Sequence, residues 1–164
     1  MSRLLGKKYL VGNFGVCGSK ITLDSDSPYL YSNAFKDAAK FQPDIVVIML
    51  GTNDASPELE QYHGTFANDY LTLIERFQAL ANKPQVWVVL PPPIFTDWMG
   101  LSIEAFSREI IPAITQVAAK KNLPIIDVYS AMQNPCYFTD GVHPNEEGAK
   151  LIAEAVYRAM FKEK

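Results

Sequence analysis

Cysteine is scarce: Cys17 and Cys136 are the only two in 164 residues. They have neither metal-ligand spacing nor the density of a disulfide scaffold, so they are expected to be reduced, mostly buried thiols. A surplus of one charge is missing as well. The chain has 15 Lys and Arg against 18 Asp and Glu, a formal net charge of −3. Basic residues gather only in pairs such as Lys7-Lys8 and Lys120-Lys121, which excludes the basic footprint of a nucleic-acid binder. Long apolar runs are also absent. The longest, "IVVIML" at residues 45–50, is far short of a membrane span. "MSRLLGKKYL" at residues 1–10 holds no apolar core of signal-peptide length. The expected chain therefore has no membrane or nucleic-acid partner. As it stands it reads as cytoplasmic, while a segment ahead of Met1 would be free to carry a signal.

What is present is ordinary globular usage, 48% apolar and 20% charged. The length suits one domain, residues 1–164, able to bury its own core. Short runs rich in β-branched residues alternate with amphipathic stretches. Strands are expected at residues 8–14 ("KYLVGNF"), 44–50 ("DIVVIML"), 85–91 ("QVWVVLP") and 124–128 ("PIIDV"). Their continuous apolar character suits a parallel sheet buried on both faces. Helices are expected at 32–41, 65–81, 103–121 and 146–161. Asn145 is placed to cap the last, and Glu146 and Glu147 suit its positive end. The alternation predicts an α/β, doubly wound, flavodoxin-like three-layer sandwich with a mostly parallel sheet. Sites in such folds gather at the carboxyl ends of strands.

The chemistry-bearing stretches fall there. "NFGVCG" (13–18) overlaps the end of the first expected strand, and its glycines admit close backbone approach. "GTND" (51–54) follows the second, "PPPIFTDW" (91–98) the third, and "DGVHPN" (140–145) lies beyond the fourth. Asp140 and His143, three residues apart across a glycine, have the form of an orienting acid and a general base. Each motif alone is common: an Asp-x-x-His is usually a cap or surface pair, and an Asn-rich turn after a strand is ordinary.

In this order and combination the sequence resembles the SGNH-hydrolase family, the GDSL-type lipases and esterases. The likeness runs from about Tyr9 to the last helix and has the flavour of small bacterial acyl and acetyl esterases. It implies that Gly18 supplies a backbone oxyanion donor, Asn53 a side-chain donor, His143 the base and Asp140 its orienter. The implied substrate is a small-molecule ester of short acyl chain, an O-acetylated carbohydrate among the candidates, with no metal and no cofactor. Phe95 and Trp98 would line the site, with the rigid Pro91–Pro93 run behind them. Asp54 is expected to brace its turn, and His63 to sit solvated at a helix start.

One block of the resemblance is missing. The family places its nucleophilic serine in a Gly-Asp-Ser type turn about thirty residues before the second block, yet here Asn13 is near the start of the sequence. Residues 1–10 read as the tail of the helix that should follow that serine, with Gly6 as its C-terminal cap. Ser2 would lie about 20 Å from the site, Ser19 is an ordinary small neighbour of Gly18, and the Cys17 side chain is expected to point into the core. The chain is thus expected to be N-terminally incomplete, lacking the family's first strand, and impaired or inactive. A non-catalytic carbohydrate- or acyl-binding remnant of the fold is the alternative. A nucleotide binder is disfavoured by the lack of a Gly-rich phosphate loop. The family's first strand would lie between residues 8–14 and 44–50. Its loss predicts two open edges and an uncovered apolar face, with three alternatives: the chain is a fragment, 8–14 slides into the gap, or chains pair as a homodimer or higher oligomer.

Overall fold

The computed structural model describes residues 1–97 and 100–161. Three strands, β1 (Ile45–Ile48), β2 (Gln85–Leu90) and β3 (Ile125–Asp127), form a parallel sheet in that order. Ile45 stands opposite Gln85, and Val88 opposite Ile125. Around them lie α1 (Ser2–Leu5), α2 (Asn33–Lys40), α3 (His63–Gln78), α4 (Ile103–Ala105), α5 (Ile111–Lys120), α6 (Val128–Ala131) and α7 (Glu146–Phe161).

Side chains alternate across a strand, and β2 uses both faces. Val86, Val88 and Leu90 join a cluster with Phe66, Leu73 and Ile74 of α3 and Ile114 and Val117 of α5. Val89 turns the other way, joining Ile126, Met132, Phe138 and Val156, with Leu151 and Ile152 of α7 packed on top. The three-layer α/β sandwich is as expected. Parallel strands need such cover on both sides.

The helix expected at 103–121 is not continuous. A π-helical turn, Phe106–Ile110, separates α4 from α5, and the Ile111 N–H donates to the Phe106 carbonyl. Pro112 explains the break: it lacks an N–H, and its ring would crowd the carbonyl four residues back in a regular helix.

Residues 8–14 do not form the expected strand. A 3-10 turn, Gly6–Lys8, follows α1, with Gly6 capping that helix as anticipated. Residues 9–14 then run without ladder bonds to any described residue. Tyr9 rests against Phe161 (5.2 Å between ring centroids) and Phe14 against Phe41 (5.4 Å), while Leu10 is 83% exposed. The physical reason is that an extended segment becomes a strand only when a neighbour takes its N–H and C=O groups. The segment has not moved in beside β1, whose outer edge has no partner among the described residues. Val46 and Ile48 of β1 enter the core, whereas Val47 and Met49 are exposed. By the alternation of a strand, Val47 lies on the face opposite the core, which the described residues leave partly uncovered.

Candidate active site

The last connection of the fold is built to hold two side chains. Thr139 N–H donates to the His143 carbonyl (2.8 Å) and Asn145 N–H to the Tyr137 carbonyl (2.9 Å), closing a narrow loop. Inside it, Asp140 Oδ1 accepts from the N–H groups of Val142 (2.9 Å) and His143 (2.8 Å). Its Oδ2 lies 2.8 Å from His143 Nδ1. A carboxylate only accepts, so Nδ1 carries the proton and Nε2 is left with the lone pair of a base. These bonds, the His143 N–H and ring first and then the Val142 N–H, hold the Asp140 carboxyl down at about 2. Its contribution to the folded loop is therefore complete above the ordinary carboxylate value. It is lost only as pH falls toward 2.

The loop is anchored on both faces of the sheet. Phe138 belongs to the α7-side cluster and Val142 to the α3/α5-side cluster. Gly141 has φ +86°, and a Cβ there would meet Thr96 Cγ2 at 2.9 Å. Its carbonyl accepts from Phe95 N–H at 2.8 Å. Asn145 caps α7 through Gly148 N–H (3.0 Å), as expected, and its amide reaches the Cys136 carbonyl (2.8 Å). Backbone, cap and packing fix the pair while the His143 side chain stays 56% exposed.

The second half of the site follows β1. Gly51 has φ +118°, and a Cβ there would press on Ile114 and Ile110, so only glycine suits this turn. The 3-10 turn Thr52–Ala55 then sets Asn53 and Asp54 on the loop at residues 18–22. Asn53 Nδ2 donates to the Ser19 carbonyl at 3.0 Å, which leaves the second amide N–H available. The Gly18 N–H takes no protein acceptor among the described residues. Asp54, fully buried, accepts from Ile21 N–H (3.0 Å), Thr22 N–H (2.8 Å) and Thr22 Oγ1 (2.7 Å). Burial pushes its carboxyl above the usual range, against the pull of those donors. Asp54 does brace its turn, but by stitching it to a loop more than thirty residues away.

The carboxyl ends of β1, β2 and β3 thus carry Asn53, Phe95 and the Asp140–His143 pair respectively. Gly18 and Asn53 are tied together through Ser19, and Asp140 and His143 are bonded directly. No hydrogen bond joins the two halves among the described residues. The Phe95 ring packs on Phe138 (5.1 Å between centroids) and so supports the dyad loop. Trp98 lies outside the described residues.

Two expectations are corrected. Cys17 and Cys136 are exposed, not buried. The loop around Cys17 has no strand partner, so nothing turns that side chain inward, and Cys136 lies on the 3-10 turn Pro135–Tyr137. His63 is not solvated: its side chain is only 7% exposed and sits against Glu109. Ser19 is sealed, with a buried Oγ that finds no partner among the described residues. Sequence reasoning did not find the long reach of Asp54 or the His63–Glu109 contact. The acid in "GTND" hinted at the first, and no local spacing hinted at the second.

Known proteins share this fold. The chain is 35% identical over 176 aligned positions to an acetylxylan esterase of Xylanibacter ruminicola, covering 96% of this chain and 37% of that protein. It is 24% identical to a rice GDSL esterase/lipase, of whose length the match spans 56%. Among solved structures, a lipase/acylhydrolase from Enterococcus faecalis matches with a TM-score of 0.64 at 26% identity, covering 78% of this chain and 68% of that one. The native aryl esterase of M. smegmatis, at 23% identity and TM-score 0.73 over 94% of this chain and 80% of its own, shares the fold. The family model of the GDSL-like lipases and acylhydrolases matches residues 1–151, and the chain belongs to that family of carboxylic ester hydrolases.

Proposed function

We propose that the chain hydrolyses short acyl esters, acetyl esters of carbohydrates among them. His143 is the general base, Asp140 its orienting anion, and the Gly18 N–H and Asn53 amide are the oxyanion donors. The observation that carries this reading is the Asp140–His143 pair, with the tautomer fixed and Nε2 facing outward. Attack on an ester carbonyl puts negative charge on its oxygen, and each pre-placed donor is worth about 3–4 kcal/mol there. The similarity to an acetylxylan esterase supports the choice of acyl group. This chemistry calls on no metal or cofactor.

In the four-block pattern a serine hydroxyl yields its proton to the base. Among the described residues no hydroxyl is bonded to His143 Nε2. In the present reading His143 therefore activates water, and the chain is a slow enzyme. Activation of water by a positioned base contributes about 10²–10⁴-fold, and pre-placed oxyanion donors add to it. The unbonded Nε2 also favours a second reading, a non-catalytic domain that holds an acyl or carbohydrate ligand.

Turnover of p-nitrophenyl acetate and p-nitrophenyl octanoate by the chain and by Asp140→Asn separates the two. The expected result is preference for acetate and a fall in kcat of about 10²–10⁴-fold in the variant, with KM little changed. Absence of hydrolysis, together with resonance shifts at Asn53 and Phe95 on adding acetylated xylo-oligosaccharide, would establish the second reading.

Assembly belongs to the same proposal. The open edge of β1, with Val47 and Met49 exposed beside it, is covered by a second copy of the chain. Light scattering at micromolar concentration should give a dimer or larger species, and a monomeric mass refutes it.

A further inference from the structure

We propose that His63, held as an imidazolium between two acceptors, is the positioning residue that fixes the turn carrying Asn53. His63 opens α3 and is nearly buried. Its Nδ1 lies 2.7 Å from Glu109 Oε2 and its Nε2 lies 3.0 Å from the Asp54 carbonyl oxygen. A carboxylate and a carbonyl can only accept, and a neutral imidazole has a single N–H. Only the doubly protonated ring satisfies both contacts. The neutral ring leaves two acceptors facing each other, either at the part-buried Asp54 carbonyl or at the half-exposed Glu109 carboxylate, and that contact is lost.

Asp54 is the point where this matters. Its side chain is bound by Ile21 and Thr22, its N–H donates to the Gly51 carbonyl (3.2 Å), and its own carbonyl is taken by His63. Asn53 sits between Gly51 and Asp54, so the His63 bond holds the residue that follows it in the turn. Glu109 is carried by the π-helical turn before Pro112, and Phe106–Ile110 packs against the Thr52–Ala55 turn.

Other charges nearby are otherwise engaged or exposed. Arg108 is paired with Glu104, and Lys20 with Asp26. Glu58 and Glu60 on the preceding Pro57–Tyr62 turn are exposed. Asp69, further along α3, accepts from Leu23 N–H. Glu109 is therefore the counter-charge that His63 contacts.

The inference rests on the reading of Asn53 as an oxyanion donor, but its test needs no substrate. In the ¹⁵N-labelled full chain at about pH 6, long-range ¹H–¹⁵N spectra should show both ring nitrogens of His63 protonated. As pH rises and the ring loses a proton, the side-chain amide resonances of Asn53 should move in the same transition. His63→Gln, which keeps one donor toward Asp54 and does not titrate, should hold the Asn53 resonances near their low-pH position throughout. His63→Ala should displace them at every pH. A ring nitrogen without its proton at the acid end, or Asn53 resonances indifferent to the transition, overturns the proposal. Should a variant fail to fold, the wild-type titration alone decides. Coupling seen in a chain that hydrolyses no ester would leave this inference standing and remove the catalytic one.

Discussion

Asp54→Ala is expected to lower the stability of the folded chain by about 3–5 kcal/mol, a loss on the scale of breaking a buried charged network. The carboxylate is fully buried and receives two backbone N–H groups and a hydroxyl. Alanine would leave the Ile21 and Thr22 donors without an acceptor, each at a cost of about 1–3 kcal/mol. Asp54→Asn keeps one acceptor oxygen but aims an amide N–H toward a donor, and should cost less. The pH dependence separates the two terms of the balance. Burial raises the folded-state value of this carboxyl above its unfolded one. Its protonation therefore contributes stability that is complete below the ordinary carboxylate value and is lost as pH rises through the raised one. The advantage of the wild type over Asp54→Asn should be larger in mild acid than at neutrality. Urea unfolding followed by far-UV circular dichroism at both pH values measures it. An Asp54→Ala chain within about 0.5 kcal/mol of wild type would mean that the tie between the two loops carries no stability.

This single residue shows where the sequence was readable. "DGVHPN" announces itself because the groups that cooperate are two or three residues apart, and the local backbone alone brings them together. The bonds from Asp140 to the Val142 and His143 N–H groups are of that local kind. The partners of Asp54 are 32 and 33 residues away, and His63 and Glu109 are 46 apart. Those meetings depend on how β1, α3 and the π-helical turn pack. The same holds for residues 8–14. Their composition is that of a strand, but composition supplies no hydrogen-bond partner, and the edge of β1 remains unpaired. The π-helical turn before Pro112 was not anticipated, although a proline inside an expected helix forces a local change. Nor was the outward turn of Cys17, since side-chain burial in a loop follows from what the loop packs against. Beyond residues 8–14 the layered order of strands and helices was legible, because alternation of period depends on each segment alone.

The largest effect on activity should come from His143→Ala. With Asp140 at Nδ1 and the lone pair of Nε2 outward, the imidazole is the group placed to take a proton from the attacking nucleophile. General-base catalysis of this kind contributes about 10²–10⁴-fold. Alanine leaves the oxyanion donors in place and takes only the ring bond from the loop, because the backbone bonds of His143 to Asp140 and Thr139 do not involve its ring. Loss of rate in a chain that melts like wild type would therefore report chemistry and not folding. The most direct measurement is p-nitrophenyl acetate hydrolysis by wild type and His143→Ala at matched, high protein concentration. The dyad account predicts wild-type turnover above the spontaneous rate and at least about 10²-fold less in the variant. Equal rates, or no wild-type turnover above background, would contradict it.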